Sequence, residues 1–273
     1  MTYATLMVHL ELEHPNDARL QIAGDLAERF DAKLIGIAAC DPQPPYYVHG
    51  SFARGLVAHE RAEVEKRMAD TQARFRAATE RRAREIEWRG ALERPTDYVA
   101  REARAADLVI TGVNRDGALL DPLRRLDPSD FVMRVGRPVI VVPPEAEYLR
   151  MKNVMVAWKD TREARRAVYD ALPLLRRAKE VSVLEVVEGD ADRKAAQTRV
   201  DDVAAWLKRH DVTAFGEVLQ ATNEADLFEK LSQADADLVV AGAYGHSRLR
   251  EWVLGGVTHD LLTRSQRCSL VAH

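Results

Sequence analysis

One stretch of this chain is written twice. "ADLVITGVNR" at 106–115 returns as "ADLVVAGAYG" at 236–245, and "GRPVIVVP" at 136–143 stands opposite "QRCSLVAH" at 266–273, both at an offset of 130. The opening apolar runs, "LMVHLE" from Leu6 and "VMVAWK" from Val154, lie 148 apart. Self-similarity at a fixed long spacing means one structural unit used twice. The chain of 273 residues therefore divides into copies at 1–147 and 148–273, with about 18 additional residues early in the first. The excess is placed near 40–57, in the Pro-rich "CDPQPPYYVHGSFARG" that leads into a long charged helix. The boundary falls at "PPEAEYLRMKN", where two prolines and a polar stretch follow an apolar run.

Short apolar runs alternate with helical patterns in each copy. In the second, "NVMVAW", "EVSVLEV", "VTAFGEVL", "DLVVAG" and "SLVA" are separated by 161–178, 191–210, 224–234 and 247–265. Such alternation, with nearly continuous apolar strands, predicts an α/β fold whose parallel sheet is covered by helices on both faces. Each copy then forms one doubly wound domain with five strands.

Composition narrows the function classes. Hydrophobic residues at 47% and charged residues at 30% describe a globular chain, and a net charge of −3 leaves no basic footprint for nucleic acid. The run "HERAEVEKRMADTQARFRAATERRAREIE" mixes both signs and reads as a solvated helix face. Cys40 and Cys268 form neither a ligand spacing nor a disulfide framework. "MTYATLMVHLEL" has no basic n-region or sustained apolar core, and no apolar run reaches membrane-spanning length. No signal peptide and no membrane association are expected, and the expected location is the cytoplasm.

Glycine gives up more backbone freedom on folding than any other residue, so a cluster of glycines asks for a reason. Gly242 ends the fourth strand of the second copy, Gly245 follows, and Gly255-Gly256-Val257-Thr258 would open a helical stretch. Open α/β sheets bind ligands beyond the carboxyl ends of their strands, where bare backbone N–H groups and a helix N-terminus suit an anion. The plainer reading is that these glycines serve turns. Neither a Walker A loop nor G-x-G-x-x-G is present.

The G-x2-G-x9-G pattern after a fourth strand, followed by V-T and a helix, resembles the nucleotide-binding signature of the universal stress proteins. The resemblance extends over both copies, as in a tandem-domain member, and "VAWKDTREARRAV" and "GHSRLREWVLGGVTHDLL" carry it most strongly. It implies strand order 3-2-1-4-5 in each domain and ATP, with or without Mg²⁺, held between the ends of the first and fourth strands. The implied contacts are Ala157, Trp158, Lys159, Gly242, Tyr244, Gly245, His246, Gly255, Gly256, Val257 and Thr258. Two positions depart from the family pattern: Gly256 stands where Ser or Thr is usual, and Lys159 where an Asp usually contacts the nucleoside. Asp160, one residue later, reads as an N-cap with Glu163 in the capping-box position.

The first copy has lost this pattern. Gly112 remains, but Arg115 and Arg125 replace Gly245 and Gly255, and Leu126 with Asp127-Pro128 stand opposite Gly256 to Thr258. Glu11 takes the first-strand Asp position. This copy is not expected to bind ATP in the family manner, and its arginines are free to pair with local acids.

No H-E-x-x-H, G-x-S-x-G or Cys-His pattern appears, so no catalytic residue and no metal site is named. Slow ATP hydrolysis is the most that is expected. Two readings stand: a stress-response regulator that binds an adenine nucleotide in its second copy, or a non-nucleotide interaction module of the same fold. The resemblance also implies that the fifth strands pair, making an internal pseudo-dimer of the two copies, with further homodimerisation left open. The loop at 44–47, "PPYY", reads as a surface loop with a partner-docking role.

Overall fold

Ten strands lie in a single sheet in the order β3-β2-β1-β4-β5-β10-β9-β6-β7-β8. The structure, a computed structural model, describes residues 2–42, 51–113, 121–187, 192–221, 236–243 and 266–273, with 51–56 described by backbone alone. In the first half the strands are β1 (Thr5–His9), β2 (Lys33–Ala39), β3 (Glu85–Ala91), β4 (Leu108–Gly112) and β5 (Val139–Val142). In the second they are β6 (Asn153–Ala157), β7 (Glu180–Val187), β8 (Ala214–Gln220), β9 (Leu238–Gly242) and β10 (Cys268–Ala272). Read within each half, the order is 3-2-1-4-5, with parallel neighbours throughout. Both halves are doubly wound α/β units.

The described helices are α1 (Asp17–Phe30), α2 (Ser51–Thr79), α3 (Pro95–Glu102), α4 (Pro128–Val135), α5 (Arg162–Leu175) and α6 (Arg193–Lys208). The helical patterns read at 224–234 and 247–265, and the 44–47 loop, lie outside the described residues. At 51–57 the expectation of a loop gives way to helix, because α2 starts at Ser51 and runs for 29 residues. The last prolines before it are Pro44 and Pro45, Gly50 immediately precedes the start, and the single Gly55 within "SFARGLV" weakens the helix without breaking it. Part of the first half's excess length is therefore helix.

The repeated "AD" before the fourth strand has a structural task in both halves. The Asp107 carboxylate accepts from the backbone N–H groups of Ala4 and Thr5, at 2.8 and 2.9 Å. Asp237 does the same for Lys152 and Asn153, at 2.7 and 3.0 Å. Each carboxylate thus satisfies donors at the entry of a central strand and fixes its register against its neighbour.

The halves join through their fifth strands. β5 and β10 run antiparallel, with Ser269 opposite Val141, Leu270 opposite Ile140 and Val271 opposite Val139. Both strands are buried along their whole length. One apolar cluster crosses this seam, from Leu6, Val8 and Ile110 through Ile140 and Leu270 to Val154 and Leu172. The intervening residues Met7, Val109, Val139 and Val271 belong to a separate cluster, as alternation of side chains across a sheet requires. Outside the sheet, Tyr3 Oη donates to the Asp170 carbonyl at 2.6 Å, Arg29 to the Leu149 carbonyl at 3.0 Å, and the Arg177 guanidinium lies 4.6 Å from the centre of the Phe30 ring.

Candidate functional site

A doubly wound sheet offers a cleft beyond the carboxyl ends of its first and fourth strands, where the strand order reverses. This chain has two, at β6/β9 and at β1/β4.

At the second-half cleft, Ala157 closes β6 in register with Ala241 of β9 and Leu184 of β7. The Trp158 N–H extends that ladder, donating to the Leu184 carbonyl at 2.7 Å. Its indole is buried at 8% exposure, and among the described residues Nε1–H has no hydrogen-bond partner. A buried donor in that state costs about 1–3 kcal/mol and is uncommon in native proteins. The Lys159 side chain, which is exposed, makes no hydrogen bond or ion pair among the described residues. Partial desolvation alone lowers its ammonium pKa, with no carboxylate acting on it.

The cap of α5 differs from its sequence reading by one residue. Thr161, not Asp160, is the N-cap, and its hydroxyl accepts from Ala164 N at 3.3 Å. Asp160 instead pairs with Arg165 at 2.6 Å on the surface. The β-branched Thr161 takes the extended backbone an N-cap needs, leaving Glu163 inside the first turn. Burial works against the charge of Glu163, but donors from Arg162, its own backbone N–H and Thr161 hold the carboxyl below its usual range.

Gly242 ends β9 against that same turn. A Cβ placed there would lie 2.6 Å from the carbonyl carbon of Glu163 and 2.9 Å from Ala164 Cα. The bare face of this glycine is therefore filled by the backbone of α5. Of the expected contacts, the structure brings Ala157, Trp158, Lys159 and Gly242 to the ends of two neighbouring strands. Tyr244, Gly245, His246, Gly255, Gly256, Val257 and Thr258 lie outside the described residues.

The first-half cleft is filled by its own side chains. Glu11 accepts from Arg19 at 3.3 Å and pairs with Arg125 at 3.6 Å, with all three side chains at or below 13% exposure. Arg19 also donates to the carbonyls of His9 and Pro15, at 3.4 and 3.1 Å. Its guanidinium lies 3.0 Å from where a Cβ on Gly112 would sit. Burial works against the Glu11 carboxylate, while Arg19, His9 and Arg125 together hold its pKa below the usual range. His9 Nδ1 meets Thr111 Oγ1 at 3.1 Å, and burial followed by the nearby Arg19 brings the imidazole down to about 4. Asp127 is the N-cap of α4, accepting from Ser129 N at 2.9 Å with Pro128 at the first helical position. Its carboxylate serves the helix.

Sequence reading missed Arg19. An arginine early in an amphipathic helix reads as exposed; the one available hint was its place eight residues after a Glu that an apolar strand delivers to the same end of the sheet. It also missed Trp158 Nε1, because a pattern shows which residues are buried and not which of their polar atoms find partners.

Among the described residues no group of three or more His, Cys, Asp or Glu side chains is placed to hold a metal ion. Cys40 and Cys268 are free and buried, and burial pushes their thiols up to about 11 and about 12, so neither is a ready nucleophile. Among the described residues no helix is long and apolar enough to cross a membrane.

No protein-family model matches the chain, and no curated protein sequence does. Solved structures do. A universal stress protein from Archaeoglobus fulgidus DSM 4304 matches with a TM-score of 0.74 at 13% identity, over 98% of this chain and 95% of its own. A functionally unknown protein from Pseudomonas aeruginosa PAO1 matches with a TM-score of 0.61 at 12% identity, over 99% and 92%. A universal stress protein in complex with cAMP matches at 24% identity with a TM-score of 0.34, over 52% of this chain and 98% of its own. The full-length matches show that the whole chain shares its fold with a solved universal stress protein.

Proposed function

We propose that this chain is a tandem universal stress protein, built from units at 1–147 and 148–273, that holds one adenine nucleotide in its second half and acts as a stress-response regulator. The observation that carries the reading is Trp158 Nε1–H, a buried donor at the end of β6 without a partner among the described residues. Beside it stands Lys159, an exposed cation with no counter-charge acting on it among the described residues. The buried indole donor calls for an acceptor, and the exposed ammonium beside it is available to an anionic one. At the first-half cleft the corresponding charges are matched internally by Glu11, Arg19 and Arg125.

The residues fit a nucleotide in part. Trp158 offers a donor to a base or ribose acceptor, Lys159 a point charge to phosphate, and residues 244–258 the backbone amides that the sequence pattern implies. ATP is the proposed ligand, with Mg²⁺ neutralising its phosphates. No side chain is assigned as a general base, so regulation by occupancy is the proposed mode of action and turnover is at most slow. A cytoplasmic location, with the two halves acting as an internal pseudo-dimer open to further dimerisation, completes the proposal.

The contrary observation is Gly242. Its bare face is occupied by the first turn of α5, so this glycine has a packing role that needs no ligand. That favours the second reading, an interaction module of the same fold.

The deciding experiment is nucleotide content of protein purified without added nucleotide, followed by calorimetric titration with Mg²⁺-ATP. About one nucleotide per chain, lost in Gly245→Arg, is the expected result. Absence of both bound nucleotide and heat at millimolar ATP would leave the interaction module as the standing reading.

A further inference from the structure

We infer that the first-half cleft carries a built-in ligand, the Glu11 carboxylate, and that residues 121–127 form a strap that locks it in place. Arg124 and Arg125 are adjacent, and the structure sends them to two carboxylates of the same short loop. Arg125 reaches Glu11 at 3.6 Å, and Arg124 reaches Glu13 at 2.8 Å. Arg124 also pairs with Glu60 of α2 at 2.8 Å and with Asp121 at 3.4 Å, while Arg67 of α2 takes Glu13 from the other side at 2.8 Å. The strap is therefore stapled to both the β1–α1 loop and the long helix.

The backbone holds the same arrangement. Asn16 grips Glu11 from both sides, accepting from its N–H at 3.0 Å and donating to its carbonyl at 2.8 Å. The strap's Leu123 carbonyl accepts from Asp41 N at 2.7 Å, its Leu126 side chain is buried in the core, and Asp127 hands the chain on to α4. Arg19, pinned by three acceptors, lies over Gly112, where the second half places the backbone of α5 against Gly242. Two buried guanidiniums share one carboxylate at the place where an anion would enter a doubly wound unit. The anion is supplied by the chain itself, so an external one is excluded as long as Glu11 stays charged and in position.

This is an autoinhibitory contact, and it does not depend on what the second half binds. Glu11→Gln keeps the shape and removes the charge that Arg19 and Arg125 share. Its melting temperature in inorganic phosphate, against sodium chloride of equal ionic strength, is expected to rise by roughly 2–4 °C more than that of the wild type, because phosphate replaces the missing carboxylate. An equal response in both proteins would overturn the inference. Should Glu11→Gln fail to fold, Arg125→Gln decides, since it leaves the Glu11–Arg19 pair intact. Hydrogen exchange at 121–127 is expected to quicken by about tenfold or more in that variant while β6 and β9 are unchanged. Unchanged exchange at 121–127 would show that the strap is held by something other than this network. Nucleotide content, read at the second half, moves in neither variant.

Discussion

The carbonyl carbon of Glu163 stands 2.6 Å from the point that a Cβ on Gly242 would occupy. Backbone on one side and strand on the other leave no room for a methyl group, and neither element yields as a flexible side chain would. Gly242→Ala is therefore expected to cost about 1–3 kcal/mol of stability, as overpacking does. The loss should be the same with and without nucleotide in urea denaturation. A variant of wild-type stability but weakened nucleotide affinity would mean that the glycine serves the ligand and not the helix. Gly112→Ala meets the Arg19 side chain at 3.0 Å and should cost less.

The fold was legible because its signals are local and repeated. β-branched apolar runs give the central strands, and the doubled "ADLV" marks an Asp whose carboxylate caps the neighbouring strand's entry in both halves. Boundaries were less so. The start of α2 is not marked by a capping pattern, and Thr161 rather than Asp160 is the cap of α5 because it is Thr161 that takes the extended backbone and accepts from Ala164 N. The site was the least legible. Arg125 is distant in sequence from Glu11 and Arg19, and the three meet only because the end of β1, the start of α1 and the strap converge beyond the carboxyl end of the central strands. Pairing across such distances leaves no periodicity to read.

His9 gives the molecule an acid limit. Its imidazole is fully enclosed and stays neutral down to about pH 4, against 6.5 for the free side chain. Between those values the unfolded chain binds a proton that the folded chain refuses, so stability falls as pH drops through the window. The loss accumulated from neutral pH down to about pH 4 is on the order of 3 kcal/mol. Glu11, whose carboxyl is held below its usual range, adds its own loss as pH falls below 4.5. In denaturation series from pH 7 to pH 4, His9→Asn should flatten the slope between 6.5 and 4. Parallel slopes in the two proteins would assign the acid sensitivity elsewhere.

A core that crosses the β5–β10 seam couples the two halves. The apolar cluster is continuous from Leu6 to Leu172, and Tyr3 adds a hydrogen bond to Asp170 at 2.6 Å. Calorimetry should therefore show one cooperative transition for the whole chain. Tyr3→Phe should lower stability by about 1 kcal/mol without splitting that transition. Two resolved transitions in the wild type would mean that the seam transmits less than its burial indicates.

Trp158→Phe separates the cost of an orphan donor from the benefit of a ligand. In the free protein, removing an unpartnered Nε1–H offsets part of the cavity that the smaller ring leaves, so stability should stay within about 1 kcal/mol of wild type. With ligand the balance changes, because the substitution removes a donor that the ligand would satisfy. Nucleotide affinity should then fall about fivefold to tenfold, the equivalent of one hydrogen bond. Isothermal titration with Mg²⁺-ATP, paired with urea denaturation of the free protein, reads both numbers from one variant. Equal affinity in variant and wild type would place the ligand away from the end of β6, and a large loss of stability in the free protein would mean that the indole is there for packing alone.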